Sequence, residues 1–182
     1  MDKNQLLKDL NKRITAKFKA KNLLFGKGNL NAPIMLVSEY PTPEDFNKDK
    51  PLAHGEHGKI FDQLLKNLGL TRRNIYMTNA VKAARENLAE LPSPKEIKQF
   101  SQFLREEIKI MEPKLIVALG SIALRGLSVK LPLFNIRGKL IRFGPNSLFT
   151  THHPTVATKD SFLRMELEKD FKQLVEVIKN LA

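Results

Sequence analysis

The sequence of 182 residues contains no cysteine. Without thiols the chain cannot form disulfides, bind an iron-sulfur cluster or a metal through thiolates, or use a cysteine nucleophile. It also lacks an apolar run of about 18 residues, which a membrane-spanning helix needs, and residues 1–21 lack the apolar centre of a signal peptide. We therefore predict a soluble, cytoplasmic protein with no metal and no cofactor.

Acidic residues are scarce, because 19 Asp and Glu stand against 31 Lys and Arg and give a net charge of +12. This charge favours polyanionic partners, with nucleic acid ahead of an anionic membrane surface. A lysine-rich composition that only keeps the protein soluble would give the same number, so charge alone leaves these alternatives open. The chain length and the hydrophobic fraction of 42% suit one globular unit, and we predict a single domain over residues 1–182.

Apolar residues alternate between helical and strand periodicity along the chain. An amphipathic helix is predicted within residues 1–21, and another within 160–182 that packs on the same core. Short apolar runs predict strands at 33–37, 74–79, 115–120 and 147–151. Further helices are predicted at 57–68, 93–111 and 121–127. This alternation predicts a three-layer α/β/α fold with a central, mainly parallel four-stranded sheet.

Polar clusters follow three of the predicted strands, at 38–45, 79–82 and 152–155. Taken singly, each cluster is more typical of a structural role, namely a solvated turn at 44–45, a loop cap at Asn79 and a rigid corner at 153–154. The carboxyl ends of parallel strands share one edge, however, where open α/β sheets bind ligands. Together the clusters predict a site at that edge. The prolines at 41 and 43 predict that the first cluster is a loop without helix.

Six short motifs occur in a fixed order along the chain. They read S-E-Y-P-T-P-E-D at 38–45, K-P-L-A-H-G-E-H-G at 50–58, N-A-V-K at 79–82, P-K-L-I-V-A-L-G at 113–120, R-G at 137–138 and T-H-H-P at 151–154. In this order they resemble the motifs of the family-4 uracil-DNA glycosylases, over about residues 25–157. The first motif of that family reads G-E-A-P-G, so Ser38 stands at the position of its first glycine. The resemblance implies an enzyme that flips deoxyuridine out of DNA and hydrolyses its N-glycosidic bond.

The resemblance also implies roles for individual residues. Glu39 matches the glutamate that orients or activates the attacking water, and Asp45 is a second candidate carboxylate. Asn79 matches the asparagine that pairs with uracil, since an amide both donates and accepts. His153 matches the histidine that faces the base oxygen and stabilises the charge on the departing uracil. Leu52 stands where the family has a phenylalanine that stacks on the base.

Two residues of the first motif, Tyr40 and Pro41, complete the implied base pocket. Tyr40 replaces a small residue, at the position where better-known relatives have the water-activating aspartate, so its ring is a candidate to fill the water's space. In the family, apolar residues that follow this histidine wedge into the duplex as the base leaves. Residues 155–157 are smaller here, which favours single-stranded or mispaired substrates. The implied DNA contacts are Lys82, Arg137, Pro154, Thr155 and Lys159.

Members of this family carry a structural iron-sulfur cluster, which this chain cannot bind. Ala83 and Phe100 stand at two of the ligand positions, so we expect apolar packing to replace the cluster. Loss of a structural cluster leaves the chemistry of the site possible.

Three functions remain open from the sequence. The first is a monomeric glycosylase acting on uracil-containing DNA, single- or double-stranded, or on a related deaminated base. The second is a non-catalytic module that binds uracil-containing or damaged DNA, as Tyr40 and Leu52 suggest. A more remote alternative is a metal-dependent hydrolase. Its candidate ligands are His54, His57, His152, His153, Glu44 and Asp45.

Overall fold

The computed structural model describes residues 2–19, 21–53, 55–87 and 90–181. The helices are α1 (Lys3–Lys17), α2 (Pro43–Asn47), α3 (Gly55–Asn67), α4 (Pro94–Met111), α5 (Ser121–Gly126), α6 (Leu133–Ile136) and α7 (Ser161–Lys179). The strands are β1 (Lys27–Gly28), β2 (Ile34–Ser38), β3 (Tyr76–Asn79), β4 (Leu115–Leu119), β5 (Leu140–Phe143) and β6 (Asn146–Thr151). Two 3₁₀ turns lie at Arg72–Asn74 and Pro154–Thr158.

The strands form one sheet in the order β1-β3-β2-β4-β6-β5. The four central strands are parallel and correspond to the predicted ones. The predicted total of four is wrong, because β1 and β5 add an antiparallel strand at each edge. Neither edge strand has an apolar run that would predict it, because both residues of β1 are exposed and no residue of β5 is buried.

Helices cover both faces of the sheet, which confirms the predicted three-layer α/β/α architecture. On one face α1, α4, α5 and α6 enclose a core that includes Met35 and Val37 of β2. On the other face α3 and α7 enclose a second core that includes Ile34 and Leu36. Successive side chains of a strand point to opposite faces, so a strand covered on both sides must be apolar throughout. This is why the central strands were readable as short apolar runs.

The segment after β2 contains a helix that the prolines were expected to exclude. Pro43 is the first residue of α2, where the missing N–H would have had no helical partner. Thr42 and Asp45 complete a capping box around it, with each side chain accepting from the backbone N–H of the other. The prediction of a helix-free loop was therefore wrong, because proline breaks helix interiors but is favoured at their first position.

Apolar side chains occupy the positions that the resemblance assigns to cluster ligands. Phe100 of α4 is fully buried and stacks on Phe18, with ring centroids 4.1 Å apart. Ala83 is 1% exposed and pairs with Leu23 through an isolated bridge. These residues belong to, or pack against, the core on the α1 and α4 side. Among the helices of the described ranges, none is long and apolar enough to span a membrane.

Candidate functional site

The carboxyl edge of the sheet, where β2, β3, β4 and β6 end, brings the predicted polar clusters together. Ser38 and Asn79, the last residues of β2 and β3, are paired in register. The pairing continues beyond the strands, because Ala80 N–H donates to the carbonyl of Ser38 at 2.8 Å. His153 follows β6, and its ring reaches back to Ser38 across β4. The site therefore combines residues from both halves of the parallel sheet.

His153 is held through both ring nitrogens. Its Nδ1 accepts from the backbone N–H of Thr155 at 3.3 Å and lies 2.9 Å from the Thr155 hydroxyl. Its Nε2 lies 2.9 Å from Ser38 Oγ. Since a backbone N–H can only donate, Nδ1 is the acceptor and the ring proton belongs on Nε2. Burial, and then the charge of His57, lower the pKa of His153 from 6.5 to about 3, so the ring is a neutral Nε2–H donor.

Asn79 presents an unsatisfied amide at the same edge. The residue is 1% exposed, and its Nδ2 has no hydrogen-bond partner among the described residues. A buried amide donor without a partner costs free energy of about 1 to 3 kcal/mol. Such a cost in the folded protein is recovered when a ligand carbonyl accepts the hydrogen bond. Asn79 is thus prepared for a polar ligand at the position where the sequence predicts base recognition.

Glu39 lies between the end of β2 and the N-terminus of α5. Its Oε1 accepts from the backbone N–H of Ile122 at 3.0 Å. Gly120 leaves room for this contact, because a Cβ at that position would lie 2.3 Å from Oε1. Burial raises the pKa of Glu39, although the α5 N–H groups and the charge of Arg125 oppose the rise. The carboxylate is desolvated and fixed in direction, as a group that handles a proton near neutral pH requires.

The two residues that depart from the family pattern are accommodated by the cores. Tyr40 is half-buried, and its ring packs against the core on the α4 side. Leu52 adopts a left-handed backbone conformation with φ of 47° and packs into the core on the α3 side, where it is 6% exposed. Little of the Leu52 side chain is therefore available for stacking on a base, contrary to the role implied by the resemblance.

Asp45 has a structural role in place of the predicted catalytic one. It is 3% exposed, and its Oδ2 accepts from Thr42 N–H at 3.0 Å. Its Oδ1 accepts from Ala53 N–H at 2.9 Å. Because backbone donors engage both oxygens, Asp45 fixes the loop between β2 and α3 and is not placed to act on water. Pro41 is buried in the same loop, and its carbonyl faces the N–H of Arg85.

Lys82 was predicted to contact DNA phosphates, and the structure corrects this. Its side chain is 1% exposed and forms a buried ion pair with Glu107 of α4 at 2.7 Å. The ammonium also donates to Thr78 Oγ1 at 2.7 Å and to the carbonyl of Asn79 at 3.2 Å. These three acceptors match the three donors of an ammonium group. Tyr76 completes the network by donating from its hydroxyl to Glu107 at 2.7 Å.

Arg137 is likewise committed to protein contacts. It donates to Glu166 at 2.6 Å and to Asp170 at 2.7 Å, both on α7, so carboxylates occupy the guanidinium that was predicted to bind phosphate. Glu166 also lies 2.9 Å from His152 Nε2. His152 thus pairs with a carboxylate. The imidazole whose charge lowers the pKa of His153 is that of His57, although His152 is its neighbour in the sequence.

The predicted DNA contacts that follow His153 divide into two kinds. Pro154 is buried at the start of the 3₁₀ turn, and Thr155 is occupied in holding the His153 ring. Lys159 is exposed at the end of that turn and remains free to meet a polyanion. Of the five predicted contacts, Lys159 is the one whose charge is presented to solvent.

Among the described residues, no three histidine or carboxylate side chains come together as a set of metal ligands. His54, one of the ligands of the remote metal-dependent alternative, lies outside the described residues. Where the structure describes the candidate ligands, Asp45 and His152 are paired with protein groups.

Sequence reasoning missed three features of this site. The resemblance implies no role for Ser38, which stands where the first family motif has glycine. The role of Thr155 in orienting His153 depends on a backbone turn. The buried partner of Lys82 lies 25 residues away along the chain, on α4. Of the three, Ser38 alone carried a signal in the sequence, namely a hydroxyl at a glycine position.

The comparisons with known proteins agree with this geometry. The family model described as the uracil DNA glycosylase superfamily matches residues 25–181. A type-4 uracil-DNA glycosylase of Saccharolobus solfataricus is 32% identical over 168 residues, which cover 87% of this chain and 77% of that protein. One from Thermotoga maritima is 31% identical over 163 residues, 87% of this chain and 84% of that protein.

A different kind of relative is a DNA polymerase of Bacillus phage SP01, which is 28% identical over 155 residues. The match covers 84% of this chain but 16% of the polymerase, so the similarity concerns one segment of a much longer protein. The family model and the two glycosylases each cover most of the chain. The chain belongs to the uracil-DNA glycosylase superfamily.

Proposed function

We propose that this protein removes uracil from DNA by hydrolysing the N-glycosidic bond of a flipped deoxyuridine. The observation that carries the proposal is the unsatisfied amide of Asn79, which is buried beside Ser38, the residue that contacts a neutral histidine donor. Uracil offers a carbonyl and an N–H along one edge, which a single amide can pair with. Cytosine presents an amino donor in place of that carbonyl, and the amide N–H would then face another donor. The arrangement thus favours uracil over cytosine.

In the proposed reaction the bond between the sugar C1′ and the base N1 breaks, and its electron pair leaves with the base. Negative charge develops on the base oxygen, and the neutral N–H donor of His153 contributes to stabilising it. A water molecule adds its oxygen to C1′ and gives its proton to the Glu39 carboxylate. The α5 backbone holds Glu39 Oε1, which fixes the direction of the carboxylate that orients this water.

The proposal is tested with a fluorescently labelled oligonucleotide that contains one deoxyuridine. Incubation with the protein and then alkali should break the strand at the uracil, whereas the matching cytosine oligonucleotide stays intact. Tight binding of uracil-containing DNA without strand breakage would instead identify the non-catalytic module that the half-buried Tyr40 and the packed Leu52 first suggested. The absence of both binding and breakage would refute either function.

The pH dependence of activity should follow Glu39. Its pKa is raised above 4.5 by burial, and the carboxylate must be ionised to take a proton from water. We therefore expect kcat/KM to fall as the pH drops through a value above 4.5, while the low pKa of His153 keeps that ring neutral across the same range. Rates measured from pH 4 to pH 8 test this, with Glu39→Gln as the comparison. A residual rate of this variant that keeps the same acid limb would assign the limb to another group.

We propose further that the surface beside the site holds the DNA strand. Phe134 is 80% exposed and Phe162 is 62% exposed. Phe134 lies three residues before Arg137, and Phe162 lies four residues before Glu166, which pairs with Arg137. Each aromatic residue therefore lies about one helical turn from one partner of this ion pair. With exposed Lys159 close by, they combine cationic charge with stacking surfaces, as proteins that bind single strands do.

Replacing Phe134 or Phe162 by alanine should weaken binding of a single-stranded uracil oligonucleotide. Base stacking on an aromatic ring contributes about 1 to 3 kcal/mol, and duplex DNA offers fewer unstacked bases. We therefore expect a larger loss for single-stranded than for double-stranded DNA, measured by fluorescence anisotropy. Leu181→Ala, near the far end of α7, serves as the control and should leave both affinities unchanged. Equal losses on both substrates would mean that these rings do not stack on bases.

A further inference from the structure

Ser38 occupies a critical position that the proposed reaction has not yet used. It is the last residue of β2, is 1% exposed, and places its Oγ 2.9 Å from Nε2 of His153. The residue stands where the first motif of the resembling family has glycine, so the hydroxyl is a feature of this chain. A buried hydroxyl beside the group that stabilises the departing base bears directly on the chemistry.

The direction of the hydrogen bonds around His153 follows from its neighbours. Thr155 N–H donates to Nδ1, so Nε2 carries the ring proton and donates it to Ser38 Oγ. A hydroxyl has one proton to donate besides the lone pairs with which it accepts. Once Ser38 has accepted from His153, its own O–H is left to be donated to a third group. Hydrogen bonds in such a chain polarise one another, and each becomes stronger.

The position of Ser38 in the sheet indicates which group that is. Ser38 and Asn79 are register partners on adjacent parallel strands, so their side chains leave the same face of the sheet. Asn79 Nδ2, the buried donor without a partner, lies on this face. A ligand carbonyl that reaches the Asn79 amide is therefore next to the Ser38 hydroxyl. His153 reaches the same place through Ser38.

We propose that Ser38 donates the hydrogen bond to the oxygen of the departing base, with His153 donating into Ser38 from behind. This inference rests on the proposed glycosylase function and assigns Ser38 as a catalytic residue of it. When the C1′–N1 bond breaks, charge on the base oxygen draws the Ser38 proton closer, and the Ser38 oxygen in turn draws the His153 proton. No proton needs to leave His153 for this stabilisation, which suits a ring that stays neutral.

The test is the activity of Ser38→Ala on the uracil oligonucleotide under single-turnover conditions. Loss of the donor to the developing charge should slow the reaction by about 100- to 1000-fold, at least as much as His153→Ala does, with a smaller change in affinity for the DNA. Ser101→Ala is the matched control, because Ser101 is also buried and bonds to another side chain, Ser128 Oγ at 3.0 Å, away from the site. This control should retain the wild-type rate.

The double variant Ser38→Ala with His153→Ala separates a relay from two independent contacts. In a relay, His153 acts through Ser38, so the double variant should be no slower than Ser38→Ala alone, within about threefold. A double variant slower by the product of the two single losses would overturn the relay. So would a Ser38→Ala protein as fast as the wild type or faster, since the hydroxyl would then only compete with the base for Nε2. A wild-type protein without activity would instead defeat the proposed function, and this inference with it.

Discussion

Replacing Glu107 by glutamine should lower the free energy of unfolding by about 3 to 5 kcal/mol, because it leaves the charge of Lys82 buried without its counter-ion. The two side chains are 1% and 2% exposed. The loss should appear as a lower midpoint of urea unfolding with an unchanged slope. The substitution should also disturb the functional site, because Lys82 donates to the carbonyl of Asn79.

Glu106→Gln provides the control for this prediction on the same helix. Glu106 pairs with Arg13 at the surface, where both side chains are about half exposed, and such pairs contribute little. Its unfolding midpoint should stay near that of the wild type. A double replacement, Lys82→Met with Glu107→Leu, removes both buried charges and should recover much of the lost stability. If Glu107→Gln and Glu106→Gln behaved alike, the buried pair would not hold this part of the fold.

Replacing His153 by alanine should reduce kcat on uracil-containing DNA by roughly 100- to 1000-fold, because it removes a donor from the hydrogen bonds that stabilise a developing oxyanion. KM should change little, because the lost interaction forms mainly in the transition state. His153→Gln, which keeps an N–H donor of similar reach, should be faster than the alanine variant. Comparable losses in kcat and in affinity would indicate that His153 serves binding and not the reaction.

The lowered pKa of His153 also predicts how the stability of the wild type and of His153→Gln should differ in acid. The pKa of His153 is about 3 in the folded protein, against 6.5 as its ordinary value. The unfolded chain therefore binds more protons between these pH values, and stability is lost as the pH falls from 6.5 towards 3. In His153→Gln this contribution is absent, so its unfolding free energy should decline less steeply over that interval. Above pH 7 the unfolding free energies of the two proteins should change with pH at the same rate.

The sequence by itself determined the parallel centre of the fold and the superfamily. Central strands are buried on both faces and must be apolar throughout, so their positions can be read from the residues alone. The motifs that end these strands, such as N-A-V-K at 79–82, can be placed at the edge of the sheet because they directly follow the strands in the sequence. The same reasoning located Glu39, Asn79 and His153 at one edge, where the structure brings them together.

Only the tertiary structure decided which charged groups face solvent. Lys82 and Arg137 lie at this edge, where phosphate-binding residues are expected, yet Lys82 pairs with a carboxylate of α4 and Arg137 with two carboxylates of α7. Asp45 is drawn to backbone N–H groups of its own loop. The bond between Ser38 and His153 joins residues 115 positions apart. These outcomes depend on the packing of α4 and α7 against the sheet, and local periodicity carries no information about such long-range pairing.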